Sequence, residues 1–175
     1  MIQRLKTKQK GFTIIEVMIV LAIAGLILLI VFLAIPALQR AQRNTGRKED
    51  AGRIVTAVGN FISNDGGTLP NTGTWSGSNG ACVSILNDLG KLNQGTWTSS
   101  NCTTNNQGPN NFDLESGSVT AQNQTSGFEA ILVVNATCTN GSSNSTTAGS
   151  PNQAALLYDL ETGSGNYNWS CVTAN

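Results

Sequence analysis

Lys10-Gly11-Phe12-Thr13-Ile14-Ile15-Glu16-Val17 opens an apolar run in which Val17 to Gln39, 23 consecutive residues, carry no charge. A helix rises about 1.5 Å per residue, so this run spans roughly 35 Å, against roughly 30 Å for the hydrocarbon core of a bilayer. Most of the run is Ile, Leu, Val and Ala. A small protein rarely buries a helix that is apolar on every side. The run therefore reads as a membrane-inserting helix. A cleaved secretory signal is the competing reading, and the basic start Arg4, Lys6, Lys8, Lys10 suits it. The length does not, because such a signal has an apolar region of about 7–15 residues. The tidy small-x-small site, Ala22-Ile23-Ala24, also lies in mid-run.

Glu16 is the one charge between Lys10 and Arg40. A lone carboxylate in a membrane helix costs several kcal/mol unless it finds a partner or reaches the headgroups. No Lys or Arg lies one helical turn away within the run, so from the residues alone Glu16 reads as snorkelling to the headgroup level near the helix start.

Outward from this segment the chain divides sharply. Residues 1–53 hold nine Lys/Arg and three acids, a net +6; residues 54–175 hold one base, Lys91, and seven acids, a net −6. The first part is apolar. The second is rich in Asn, Thr, Ser and Gly. The total of 175 residues allows one globular domain with a segment left over. Zero net charge and only 11% charged residues argue against a basic nucleic-acid binder, so no specific nucleic acid is expected. The absence of histidine removes Ser-His-Asp and Cys-His catalysis in their usual forms and every His-ligated metal. Positive charges flank the apolar run on both sides, so the positive-inside count is nearly balanced. Four cysteines, all between residues 82 and 171, suit an oxidising compartment. They place the polar domain outside and the N-terminus in the cytoplasm.

The stretch Lys10–Val17 resembles the class III signal of type IV prepilins: a basic leader, a small residue, an aromatic opening the apolar run, and a carboxylate four residues on. The resemblance covers residues 4–60. In that family a prepilin peptidase cuts after the glycine and the new N-terminal residue is N-methylated. The resemblance thus implies a leader Met1–Gly11, cleavage between Gly11 and Phe12, and N-methylation of Phe12. The implied cut exposes a Phe12 α-amine one helical turn from Glu16, able to pair within the chain or, in a staggered polymer, with a neighbour. The resemblance favours pairing of Glu16 with the Phe12 amine of the next subunit, and it reads Gly25 and Pro36 as points of helix flexibility. Ordinary membrane-helix tolerance of Gly and Pro explains those two residues as well. The partners implied are further copies of the chain in a helical filament, the prepilin peptidase, and an inner-membrane assembly platform with a cytoplasmic ATPase. The precursor would sit in the cytoplasmic membrane and the product in an extracellular pilus. A minor pilin or a secretion or competence pseudopilin is the alternative. Adhesion, motility and DNA uptake are not distinguished.

Beyond Pro36 the helical pattern continues, with Ala51, Ile54, Val55, Val58, Phe61 and Ile62 forming an apolar stripe. Asn64-Asp65-Gly66-Gly67 and Pro70 stop it. The expected fold is α+β. A long N-terminal helix, membrane or filament half first and amphipathic half second, packs on a small antiparallel sheet stabilised by disulfides. The expected boundaries are 1–11 leader, 12–39 apolar helix, 40–63 amphipathic helix, 64–117 connecting loops, and 118–175 sheet and C-terminal loop. A short helix is expected at 81–89, stopped by Gly90, with Cys82, Ile85, Leu86 and Leu89 inward. Strands are expected near 128–134, 153–160 and 167–171, with Val119 in an extra one.

Four cysteines permit three pairings. Cys82–Cys102 and Cys138–Cys171 are favoured. The second resembles the disulfide-bounded C-terminal loop of type IV pilins. No CxxC occurs, so zinc is discounted and no metal or cofactor is expected. A membrane-tethered binding module or enzyme would rest on two acid pairs, Asp113/Glu115 and Asp159/Glu161, which in principle suit a glycosidase or calcium. Neither pair has a supporting motif; both read as solvated strand or turn positions, and no enzyme is expected. Six Asn-x-Ser/Thr sites, at Asn101, Asn123, Asn135, Asn140, Asn144 and Asn168, are what so polar a composition produces by chance.

Overall fold

A computed structural model describes residues 11–77, 79–93, 95–108, 110–122, 127–140, 142–163 and 165–174. The expected leader, Gly11 excepted, and the Asn123 site lie outside these. Contacts divide the chain into two compact units, residues 1–39 and 40–175.

Helix α1 runs Ile14–Asn64 without a break at Gly25 or Pro36. It is long and apolar enough to cross a membrane. In the first unit every described residue of the helix is exposed, from Ile14 at 82% to Leu38 at 61%. Such a surface requires a lipid or protein environment.

In the second unit α1 is amphipathic, as the three- and four-residue spacing dictates. Ala51, Ile54, Ala57 and Val58 are buried, with Val55, Phe61 and Ile62 packed at the margin. Helix α2 (Ala81–Leu89) turns Cys82, Ile85, Leu86 and Leu89 inward and ends at Gly90, whose φ of 63° suits glycine. Gly80 precedes it because a Cβ there would overlap the Trp75 carbonyl.

The strands are β1 (Cys102–Thr104), β2 (Phe112–Ser116), β3 (Ala130–Val134), β4 (Ala136–Cys138), β5 (Thr146–Ala148), β6 (Ala154–Gly163) and β7 (Asn166–Ala174). Five form one sheet in the order β1-β2-β3-β6-β7, while β4 and β5 pair separately. The antiparallel expectation needs correction here. β3–β6 and β6–β7 are antiparallel, but β1–β2 and β2–β3 are parallel, so the sheet is mixed. Four strands are unforeseen: β4 and β5, and two, Cys-Thr-Thr and Phe-Asp-Leu-Glu-Ser, that lie in the segment expected to be connecting loop. The latter two are short and polar, and their parallel pairing gives no hairpin signal. Val119 lies outside any strand; its neighbour Thr120 makes a single bridge to Ser145.

Strand alternation gives the sheet two buried faces. Phe112, Leu114, Ala130, Leu132, Val134, Leu156 and Tyr158 meet α1 and α2. Ile131, Val133, Leu157 and Trp169 pack beneath Val119, Ala121 and Ala136. β3 is buried on both sides, which is why Ala-Ile-Leu-Val-Val reads as an unbroken apolar run. Trp97 stacks on Phe112 and Phe128 at centroid separations of 5.5 and 5.4 Å. Disulfides join Cys82 to Cys102 and Cys138 to Cys171. In the chain-entropy model each contributes about 3–4 kcal/mol.

Four polar residues spaced three and four apart on α1 fasten the β6–β7 end of the sheet. Arg40 donates to the Thr162 carbonyl at 2.9 Å. Arg43 grips Glu161 with two bonds of 2.7 and 2.8 Å. Asn44 exchanges both amide bonds with the Glu161 backbone. Arg47 is buried: its Nη1 pairs with Asp159 Oδ2 at 2.8 Å, its Nη2 donates to the Gly127 carbonyl at 2.8 Å, and its guanidinium lies over Phe128 and Tyr167. Charges that counted as topology signals in the sequence are thus also structural ties.

Candidate functional site

Gly11, Phe12 and Thr13 precede the first turn of α1 and lie outside any regular secondary structure. Phe12 is 89% exposed. An accessible, non-helical Gly11–Phe12 bond is what a peptidase needs, because a regular helix holds its backbone away from an active site. Gly11 has open space where a Cβ would stand, so the structure around it imposes no demand for glycine.

Thr13 and Glu16 form a reciprocal cap on the helix. The Thr13 N–H and Oγ1–H both donate to Glu16 Oε2 at 2.8 Å, and the Glu16 N–H donates to Thr13 Oγ1 at 3.3 Å. The Val17 N–H reaches the Thr13 carbonyl to begin the helical ladder. This is a capping box, Thr-x-x-Glu, which satisfies backbone N–H groups that the first turn leaves without partners. The acid also lies at the positive end of the helix dipole. Both bonds from Thr13 end on Oε2, leaving Oε1 outside the cap. Phe12, Glu16, Val17, Val20 and Leu21 line a shallow cleft of about 300 Å³ in which Glu16 is the one ionisable group. The carboxylate is therefore presented in an apolar surround, on a side chain whose rotamer Thr13 fixes.

The sequence reading brought Gly11, Phe12 and Glu16 to one place, and the structure keeps them there. It missed Thr13, although the S/T-x-x-E spacing that opens many helices was visible at residues 13–16. Replacing Thr13 by Val removes the hydroxyl at nearly constant shape and is expected to loosen the helix start by about 1 kcal/mol, a roughly fivefold faster amide exchange near Glu16. Thr13→Ser keeps the cap and should match the wild type. The measurement is amide exchange of the full chain in detergent micelles; equal rates in wild type and Thr13→Val would refute the cap.

The acid pairs behave differently from expectation. Asp113 and Asp159, expected to be solvated, are fully buried, whereas Glu115 and Glu161 are half-buried. Asp159 faces Arg47, a partner too distant in sequence to be foreseen, and Asp113 accepts the Asn106 N–H at 2.9 Å. The Arg43 hydrogen bonds hold the Glu161 carboxyl below its usual range. Among the described residues no group of His, Cys, Asp and Glu is arranged to hold a metal ion.

Residues 6–32 match the family model of the prokaryotic N-terminal methylation motif, the class III signal peptide of type IV pilins. No curated protein and no solved structure matches the chain.

Proposed function

We propose that the chain, which carries a prepilin-type methylation motif, is a structural subunit of a type IV pilus. It is cleaved after Gly11, N-methylated on Phe12 and polymerised through the apolar half of α1. The observation that carries this reading is the pairing of motif and environment. A single carboxylate, Glu16, stands at the head of a helix whose first part, residues 14–39, is exposed and apolar on every side. A membrane satisfies that surface before assembly and neighbouring subunits satisfy it afterwards. The second unit contributes a disulfide-tied head suited to an oxidising exterior. In this reading the protein is a building block and not an enzyme.

Growth of the filament then has a simple electrostatic logic. The new Phe12 ammonium of one subunit and the Glu16 carboxylate of another are each costly in an apolar medium. Together they form a charge-assisted pair. Oε1 of Glu16 is the oxygen left for it, since Thr13 occupies Oε2.

The test is an intact mass, without reduction, of protein sheared from cells that express the chain with its assembly machinery. The expected species begins at N-methylated Phe12 and lacks four hydrogens for the two disulfides. A membrane-retained species that still carries Met1–Gly11 would overturn the reading.

A further inference from the structure

One group of side chains in the head is not used by the assembly reading above. Asp113 and Glu115 on β2, Glu129 just before β3, and Asp159 on β6 form this group, the other three each acting electrostatically on Glu129. Asp113, Glu129 and Asp159 are fully buried. The cation that reaches the group is Arg47 of α1, and it is committed to Asp159. Three carboxyls and one guanidinium cannot all be ionised cheaply out of water.

The same acids hold down a loop. Three consecutive residues are tied to three carboxyls. The Asn106 N–H donates to Asp113 Oδ2 at 2.9 Å, the Gln107 side-chain amide to Glu115 Oε1 at 2.9 Å, and the Gly108 N–H to Glu129 Oε1 at 2.8 Å. Gln107 Oε1 also accepts the Gln122 N–H at 2.9 Å. Glu129 Oε2 is buried with no hydrogen-bond partner. A neutral carboxyl tolerates that position. A carboxylate there would be an unsolvated anion facing Asp113, Glu115 and Asp159.

We propose that the segment 106–108 is a proton-gated flap, closed over the sheet while the Glu129 carboxyl is neutral and released when it ionises. Release needs no large rearrangement. Breaking the three ties lets water reach Oε2 from the side of the sheet that β1 edges. The electrostatics agree with the geometry: burial, reinforced by Asp159, Asp113 and Glu115, pushes the Glu129 carboxyl up to about 8, and the Gly108 N–H only partly offsets it. Asp113 is pushed up to about 6 by burial, with Glu115 adding to it. Burial raises Asp159 also, against the pull of Arg47.

The sign follows from proton linkage. Closed Glu129 holds its proton more tightly than solvated Glu129, so closure is strongest in acid. It weakens as pH rises from the ordinary glutamate range to about 8, then levels off. One proton corresponds to about tenfold per pH unit in the opening equilibrium.

The readout is the exchange protection of the Gly108 and Asn106 amides in the full chain in detergent micelles, corrected for intrinsic exchange, between pH 6 and 8. The lower end of this window meets the Asp113 titration, which the Asp113→Asn variant removes. Protection is expected to fall about tenfold per pH unit in the wild type. It should be nearly flat in Glu129→Gln. Asp113→Asn should keep the slope, because Glu129 remains. A pH-independent wild type, or a Glu129→Gln protein that keeps the slope, would overturn the proposal. A carbon-13 titration of the wild-type Glu129 carboxyl decides the matter if Glu129→Gln fails to fold. A midpoint near 8 supports the flap and a midpoint in the ordinary glutamate range ends it.

Discussion

Arg47→Ala is expected to destabilise the head by about 3–5 kcal/mol, the usual cost of leaving one partner of a buried ion pair behind. Asp159 would remain fully buried without its cation. The Gly127 carbonyl would lose its donor, and Phe128 and Tyr167 the guanidinium that lies over them. The melting temperature of the full chain in micelles should drop by roughly 10–20 °C, followed by near-ultraviolet circular dichroism of the tryptophans. The double variant Arg47→Met with Asp159→Leu separates the pair from the site. Apolar replacements of similar volume often match or exceed a buried ion pair, so much of the loss should return. A single variant that melts within a degree or two of the wild type would show that Asp159 is neutral in the folded protein and that Arg47 contributes packing alone.

Glu16→Ala is expected to abolish filaments while sparing every earlier step. Alanine leaves the Gly11–Phe12 bond outside the helix, so leader removal should proceed. It also makes the helix wholly apolar, which favours the bilayer over the polymer, and it removes the carboxylate that receives the incoming ammonium. An equilibrium loss of several kcal/mol per added subunit is a factor of a thousand or so in assembly, since about 1.4 kcal/mol is tenfold. The expected result is mature protein accumulating in the membrane fraction with no sheared filaments. Abundant filaments from Glu16→Ala would remove the carboxylate from the assembly step. Retained leader would instead place Glu16 in peptidase recognition.

These two residues also mark how far the sequence could be read. Glu16 is legible because its oddity is local: one charge in a run of apolar neighbours. The apolar helix, its amphipathic continuation and α2 with its Gly90 stop are legible for the same reason, since period and stop signals lie within a few residues of one another. Arg47 is not legible as a buried ion. Its partners lie 80 and 112 positions away, and in one dimension it looks like any basic residue following a membrane segment. Asp113 and Asp159 escape notice likewise, because burial depends on what covers a strand. β1 and β2 are lost in a segment of Asn, Thr and Gly whose pairing is set only once β3 is in place. Both disulfide pairs lie within the reach of a small domain, but spacing alone left three pairings open.

The four-residue grip of Arg40, Arg43, Asn44 and Arg47, and the apolar stripe from Ala51 to Val58, share one rigid axis. Each residue inserted between them would turn one set by about 100° relative to the other. A single insertion would therefore leave either the arginines or the isoleucine face without its counterpart on the sheet. An insertion of seven residues, nearly two full turns, would preserve the angle but move the grip about 10 Å along the axis. The surface loops of the head can lengthen or shorten over generations with little penalty. The stretch from residue 40 to residue 58 cannot. Descendants of this chain should vary in head size yet keep that interval at constant length, as a ruler against which the rest of the domain is measured.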